Sequence, residues 1–252
     1  MAAGKLVWDQ VGQKFYEAGV DRAVLYVQNT NGTYQDGVAW NGVSQISENP
    51  SGAESNPYYA DNIKYLDIIS KEDFGASIEC YTYPDAWMLC DGTAEPTPGV
   101  MLGQQSRRAF GLCYRTKIGN DVVNDDYGYK IHLIYNAKAS PSEKSYQSIG
   151  ESVEPISFSY ELTTTPVNVT GYKPCSYIVI DSTKVDSAKL TQFEELIYGK
   201  DADPEDPESV ASAPTLPTME RVMQIFGTSS DSDDNTETTL TPSGESAVTG
   251  EG

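Results

Sequence analysis

Residues Gly37–Ala86 read GVAWNGVSQISENPSGAESNPYYADNIKYLDIISKEDFGASIECYTYPDA. Val38, Trp40, Val43 and Ile46 open an apolar, strand-like segment, which gives way at Glu48 to a polar stretch holding Pro50, Gly52 and Pro57. The polar stretch runs to Asn62, and a connection that long in a compact domain is functional or unstructured. Tyr58 and Tyr59 at its far end argue for a docked loop. Two further strands are predicted over Ile63–Ser70 and Ala76–Tyr83, separated by Lys71-Glu72-Asp73. In the second, Ile78, Cys80 and Thr82 alternate with Glu79, Tyr81 and Tyr83, the period of a strand with two unlike faces.

Working outward, the strand signals continue. Arg22–Gln28 (RAVLYVQ) is an apolar, β-branched and aromatic run closed by Asn29-Thr30-Asn31-Gly32, which is strand followed by turn. Phe110–Ile118 and Tyr129–Tyr135 read as a hairpin pair around the acidic tip Asn120–Asp126. Ile156–Val169 reads as one long strand and Ser176–Ile180 as another. Asp85–Leu89 suggests a single helical turn, and Thr93–Met101, rich in Pro and Gly, an irregular connection. Helical periodicity is confined to the last third. Asp186 or Ser187 can cap a segment in which Leu190, Phe193, Leu196 and Ile197 share one face, ended by Gly199. Met219–Phe226 offers a shorter helix between Thr218 and Gly227. The fold class is mainly β, with one flanking amphipathic helix packed on a sheet.

A chain of 252 residues can bury roughly 70–75% of its unfolded surface. Its 17 tyrosines against 6 phenylalanines suit surfaces that are apolar on one side and wet on the other. The net charge is −20. Much of it sits in an acidic insert over about 201–215 and in a Ser/Thr/Asp/Glu/Gly-rich tail, 228–252, read as disordered because it has almost nothing to bury. The domain expectation is therefore 1–227 followed by that tail.

No cluster of Lys and Arg exists to displace counterions from a nucleic-acid backbone. Cys80, Cys90, Cys113 and Cys175 form no CxxC pair, and His132 is the lone histidine, so metal-ligand spacing is missing. Asn120-Asp121 with Asn124-Asp125-Asp126 offers oxygen ligands for calcium, but without EF-hand spacing. Phosphate-binding glycine strings and a nucleophile motif beside His132 are also missing. No apolar run has signal-peptide or membrane-spanning length. These features lead us to expect no enzyme, no cofactor and no membrane partner.

Several strings taken together carry a more specific signal. They are Gly37-Val38-Ala39-Trp40-Asn41-Gly42, Ser51-Gly52-Ala53-Glu54 through Tyr59-Ala60-Asp61-Asn62, and Tyr81-Thr82-Tyr83-Pro84-Asp85. Gly103-Gln104-Gln105, Phe110–Thr116, Lys130–Tyr135, Ala139–Tyr146 and Thr163–Val167 follow in order. From about Lys5 to Phe226 the chain resembles the major tail proteins that build the tail tube of long, non-contractile-tailed bacteriophages (siphophages).

The resemblance implies a β-sandwich or barrel-like fold of two antiparallel sheets with one flanking helix and a long stacking loop. It implies hexameric rings stacked into a tube whose acidic lumen conducts genomic DNA during ejection without binding it. Expected partners are further copies of the chain, a tape-measure protein, and distal tail and tail terminator proteins. The expected location is the virion, after synthesis in the host bacterial cytoplasm. Pro50, Tyr58, Tyr59 and Asp61 become the candidate contacts between subunits. Two alternatives remain open: a carbohydrate-binding β-sandwich of a baseplate or surface, stacking sugars on Trp40, Trp87 and tyrosines, or a tube subunit of a contractile injection machine.

Overall fold

The computed structural model describes residues 5–150, 154–205 and 209–227. The tail at 228–252, expected to be disordered, and three residues of the acidic insert (206–208) lie outside the described residues. Among the described residues fourteen strands occur. The first seven are β1 (Phe15–Val27), β2 (Val38–Ala39), β3 (Val43–Glu48), β4 (Ser51–Gly52), β5 (Ser55–Ala60), β6 (Ile63–Ile69) and β7 (Glu72–Asp73). After β8 (Gly75–Cys80) come a 3₁₀ turn (Asp85–Trp87) and helix α1 (Met88–Asp91). Then follow β9 (Ala94–Thr97), β10 (Val100–Leu102), β11 (Phe110–Asn120), β12 (Asn124–Ala139), β13 (Phe158–Thr164), β14 (Tyr177–Asp181), α2 (Ser187–Tyr198) and α3 (Met219–Phe226).

The protein is mainly β with antiparallel sheets and few helices, as the sequence leads one to expect. Hydrogen bonding runs through one eight-stranded sheet, in the order β2-β1-β11-β12-β13-β8-β3, with β14 also on β12. The two ends of that path are consecutive in the chain, because Trp40–Gly42 links β2 to β3. Trp40 N–H donates to Ala23 O at 2.8 Å on one side, and Tyr81 N–H donates to Gly42 O at 2.8 Å on the other. The sheet therefore curls upon itself.

Two layers still arise from this single sheet, because the long strand β12 changes partner. Its residues 130–134 pair with β14 and 137–139 with β13. Asn136 sits at the switch with φ +52°. Its N–H donates to the Tyr34 hydroxyl (3.0 Å), and its side-chain amide to Thr165 O (3.2 Å). An asparagine tolerates that left-handed backbone better than most residues.

Alternation along the strands makes two cores. The interior one gathers Leu25, Trp40, Ile78, Trp87, Phe110, Leu112, Tyr160 and Leu162, with Trp87 at its centre, 4.6 Å from Trp40 and 4.9 Å from Tyr160 between ring centroids. Lys144 closes one end by pairing with Asp91 at 2.6 Å beside the Tyr83 and Tyr160 rings. On the opposite face, Tyr26, Cys113, Ile131, Leu133 and Tyr135 pack against Leu190, Phe193 and Ile197 of α2 and Met219, Val222 and Ile225 of α3. Two helices rather than one cover this face. Asp186 caps α2, accepting from the Ala188 and Lys189 N–H groups at 3.0 Å, and Thr218 caps α3. The chain joining them lies so close that a Cβ on Gly111 would stand 2.2 Å from Leu216 Cδ2.

Several element boundaries differ from the sequence reading. Val38–Ile46 is two strands, because Gly42 (φ +76°) turns the chain. The strand predicted to reach Val169 stops at Thr164, ahead of Pro166, where proline removes a ladder donor. Thr93–Met101 is not irregular but a small hairpin, β9–β10, turning at Gly99 (φ +80°).

Phe193 is fully buried between α2 and the sheet and meets Phe226 with centroids 5.2 Å apart. Phe193→Ala is expected to cost about 3–5 kcal/mol by cavity formation, read as a lowered midpoint in urea unfolding.

Candidate functional site: a projecting hairpin arm

Every residue from Glu48 to Asp73 is exposed. The strand expected over Ile63–Ser70 is present as β6, but the expected polar loop before it is not a loop: it supplies β4 and β5, and the segment is a ribbon of paired strands leaving the barrel between β3 and β8. Its base is the β4–β7 pair, Ser51 with Asp73 and Gly52 with Glu72. Gly52 has φ +86°, and a Cβ there would meet Lys71 O at 2.2 Å, so only glycine fits. Beyond the base, β5 and β6 pair from Ser55–Ile69 to Ala60–Ile63. Asp61 (φ +51°) and Asn62 (φ +64°) close the hairpin. Two consecutive left-handed residues are the two-residue turn whose twist matches that of the strands.

A bulge sorts the side chains. Tyr58 pairs with Leu66 but Tyr59 pairs with Lys64, leaving Tyr65 extra on β6. One face therefore carries Tyr58, Ala60, Ile63, Leu66 and Ile68, with Asn56 its one polar residue. The other carries Tyr59, Ile69 and a polar group in which Lys64 pairs with Asp67, and Asp67 also accepts from Ser55 Oγ at 2.6 Å. Tyr58, Ile63, Leu66 and Ile68 are 54%, 64%, 48% and 48% exposed. A two-stranded ribbon is marginally stable alone in water, and a contiguous exposed apolar face marks an interaction surface.

Of the residues singled out from sequence, Tyr58 lies on the apolar face, Tyr59 on the opposite face, Asp61 at the tip, and Pro50 beside the base, all exposed. Ile63, Leu66 and Ile68 were missed as a group. Simple alternation in IKYLDII separates Ile63 from the other two, and only the bulge at Tyr65 brings them together.

Other candidates are occupied or dispersed. Trp40 and Trp87 are 3% and 0% exposed, which removes the sugar-stacking surface the carbohydrate-binding alternative assigned to them. The acidic tip of the β11–β12 hairpin is engaged within the chain: Asp121 accepts from Gly12 N–H at 3.0 Å, and Asp125 pairs with Lys117 at 2.8 Å. Burial pushes the Cys80 thiol up to about 11 and those of Cys90 and Cys113 to about 12, leaving them protonated and unreactive near neutrality. Among the described residues, no three His, Cys, Asp or Glu side chains are grouped to hold a metal ion. No helix among them is long and apolar enough to cross a membrane.

Among the described residues, seven cations pair with carboxylates of their own chain: Lys64, Arg115, Lys117, Lys130, Lys144, Lys184 and Lys200. The Arg115–Asp21 contact is two-pronged, 2.7 Å at both oxygens. Such pairing leaves still less positive charge for phosphates.

Comparison with known proteins adds little. No family model matches the chain, and no curated protein does. Among solved structures, a chain in the cryo-EM structure of the anti-feeding prophage baseplate, 6-fold symmetrised, is similar at 10% identity and a TM-score of 0.32. The match covers 69% of this chain and 97% of that one. A score that low carries no argument, and the functional reading rests on the arm and the charge.

Gly52→Ala is expected to unpair the arm's base while sparing the barrel. Hydrogen exchange checks this: protection should fall across residues 51–73 and stay unchanged in β11 and β12.

Proposed function

We propose that this chain is a structural subunit of a phage tail tube, in which copies associate through the arm into hexameric rings that stack around a channel. The observation that carries the reading is the unpartnered apolar face of the arm, Tyr58, Ile63, Leu66 and Ile68. Burying four such side chains against another copy would stabilise association by several kcal/mol, at about 25 cal/mol per Å² of apolar surface. Pro50, Tyr59 and Asp61 lie at the base, opposite face and tip, and contact the same neighbour or the next ring.

Charge suits the channel. DNA passing a wall of carboxylates is repelled over about 8 Å at physiological salt, so the genome slides without adhering. A net charge of −20, with seven of the 17 Lys and Arg in internal pairs, fits a surface that conducts nucleic acid rather than gripping it. Tape-measure, distal tail and terminator proteins complete the proposed assembly, whose place is the virion.

Negative-stain electron microscopy over a concentration series tests the reading. Wild type should form rings or hollow tubes as concentration rises. The double variant Leu66→Ser/Ile68→Ser should stay monomeric with stability within about 0.5 kcal/mol of wild type, since both side chains are exposed. A wild type that remains monomeric throughout, or a variant that assembles equally well, contradicts it.

A further inference from the structure

The chain's single histidine stands at the root of the arm. His132 lies on β12, in register with Tyr114 of β11 and Val179 of β14. Its ring stacks on Tyr114, with centroids 4.6 Å apart and planes 9° from parallel. Nδ1 is 3.2 Å from Glu48 Oε1, and Nε2 is 3.0 Å from Thr116 Oγ1. The Tyr114 hydroxyl donates to the same Glu48 oxygen at 2.6 Å. Glu48 is the last residue of β3, where the chain leaves the barrel, and the next N–H, that of Asn49, donates to Gly75 O at 2.7 Å on the returning strand. One carboxylate at the exit is thus gripped by side chains from two neighbouring strands.

We propose that the charge on His132 is a pH-responsive latch: it sets how firmly the root of the arm is held to the barrel, and through the arm it tunes self-association. The neutral ring can donate from Nδ1–H to Glu48 and accept from Thr116 at Nε2. Protonation makes both nitrogens donors and turns the hydrogen bond to the Glu48 carboxylate, already charge-assisted through its acceptor, into an ion pair between full charges. The His132 side chain is 13% exposed and that of Glu48 37%, so solvent screens the pair in part.

Apart from Tyr114 and Thr116, the flanking groups have other partners, Asp181 with Lys184. On β14, Tyr177 and Asp181 flank Val179 and stand in register with Ile134 and Lys130. Lys130, next on the same face of β12, pairs with Glu17 of β1, and from β11 the facing groups are Tyr114 and Thr116. The hydrogen bond from His132, aided by that from Tyr114 and opposed by burial, holds the Glu48 carboxyl below its ordinary value. A depressed carboxylate contributes above its unfolded value of about 4.5 and is lost as pH falls through the folded one.

Amide exchange by NMR on the monomeric full chain, corrected for intrinsic rates, tests this at about pH 7.5 and about pH 5.5, either side of the usual histidine range. Protection at Asn49 should rise up to about fivefold on acidification in wild type. It should stay flat in His132→Gln, which removes the titrating ring, and rise less than in wild type in Glu48→Gln, whose amide oxygen still accepts from the imidazolium but carries no charge. A flat wild type, or an equal rise in both variants, overturns the latch. The consequence for assembly rests on the proposed role of the arm. Acid also relieves repulsion among the carboxylates, so the reading there is the difference in ring or tube yield between wild type and His132→Gln. If exchange responds as described while the two assemble alike at both pH values, the latch stands and its coupling to assembly falls.

Discussion

Strand β12 is asked to satisfy three neighbours at once, and the rest of the molecule is arranged around how it does so. Along one edge it holds β11 throughout. Along the other it holds β14 and then β13, with the change made at Asn136. Its alternate side chains feed two cores: Ile134, Ala137 and Ala139 point to the interior, while Ile131, Leu133 and Tyr135 meet the helices. A strand buried on both faces cannot slip by one residue without exchanging the two sets, so the register is doubly fixed. That rigidity makes the β11–β12 ladder a fixed base, and Tyr114 and His132 reach from it to the point where the arm departs.

The arm is the opposite case. It has backbone pairing but no core, and its stability in isolation is what a twisted two-stranded ribbon can supply. Barrel and arm divide the labour: one gives a shape that does not change, the other an apolar surface that a second molecule can cover. The charge distribution agrees with this division. Internal ion pairs absorb cations near the strands, and the excess of carboxylates remains at the surface, where it opposes nonspecific association and leaves apolar matching to select the partner.

Much of this architecture was legible in the amino-acid sequence. The hairpin of β11 and β12, the capped helix begun by Asp186, and the helix between Thr218 and Gly227 each rest on local signals that tertiary packing did not override. The curl of a single sheet was not legible, since pairing Trp40–Gly42 to both β1 and β8 is a long-range event with no local signature. The arm was half visible. Its polar composition and tyrosines marked an unusual segment, yet prolines at 50 and 57 concealed β4 and β5, and the bulge at Tyr65 concealed the grouping of Ile63 with Leu66 and Ile68. Trp40 and Trp87 misled for a different reason: aromatic residues beside turns look available, and only the closed interior shows them to be buried.

The central claim is that one face of the arm is completed by another copy of the chain. A side-chain-resolution cryo-EM reconstruction of the assembled particle addresses it directly. The account predicts Tyr58, Ile63, Leu66 and Ile68 packed against a neighbouring subunit and shielded from solvent. An assembly in which that face stays open to water, with subunits joined through other surfaces, would contradict it.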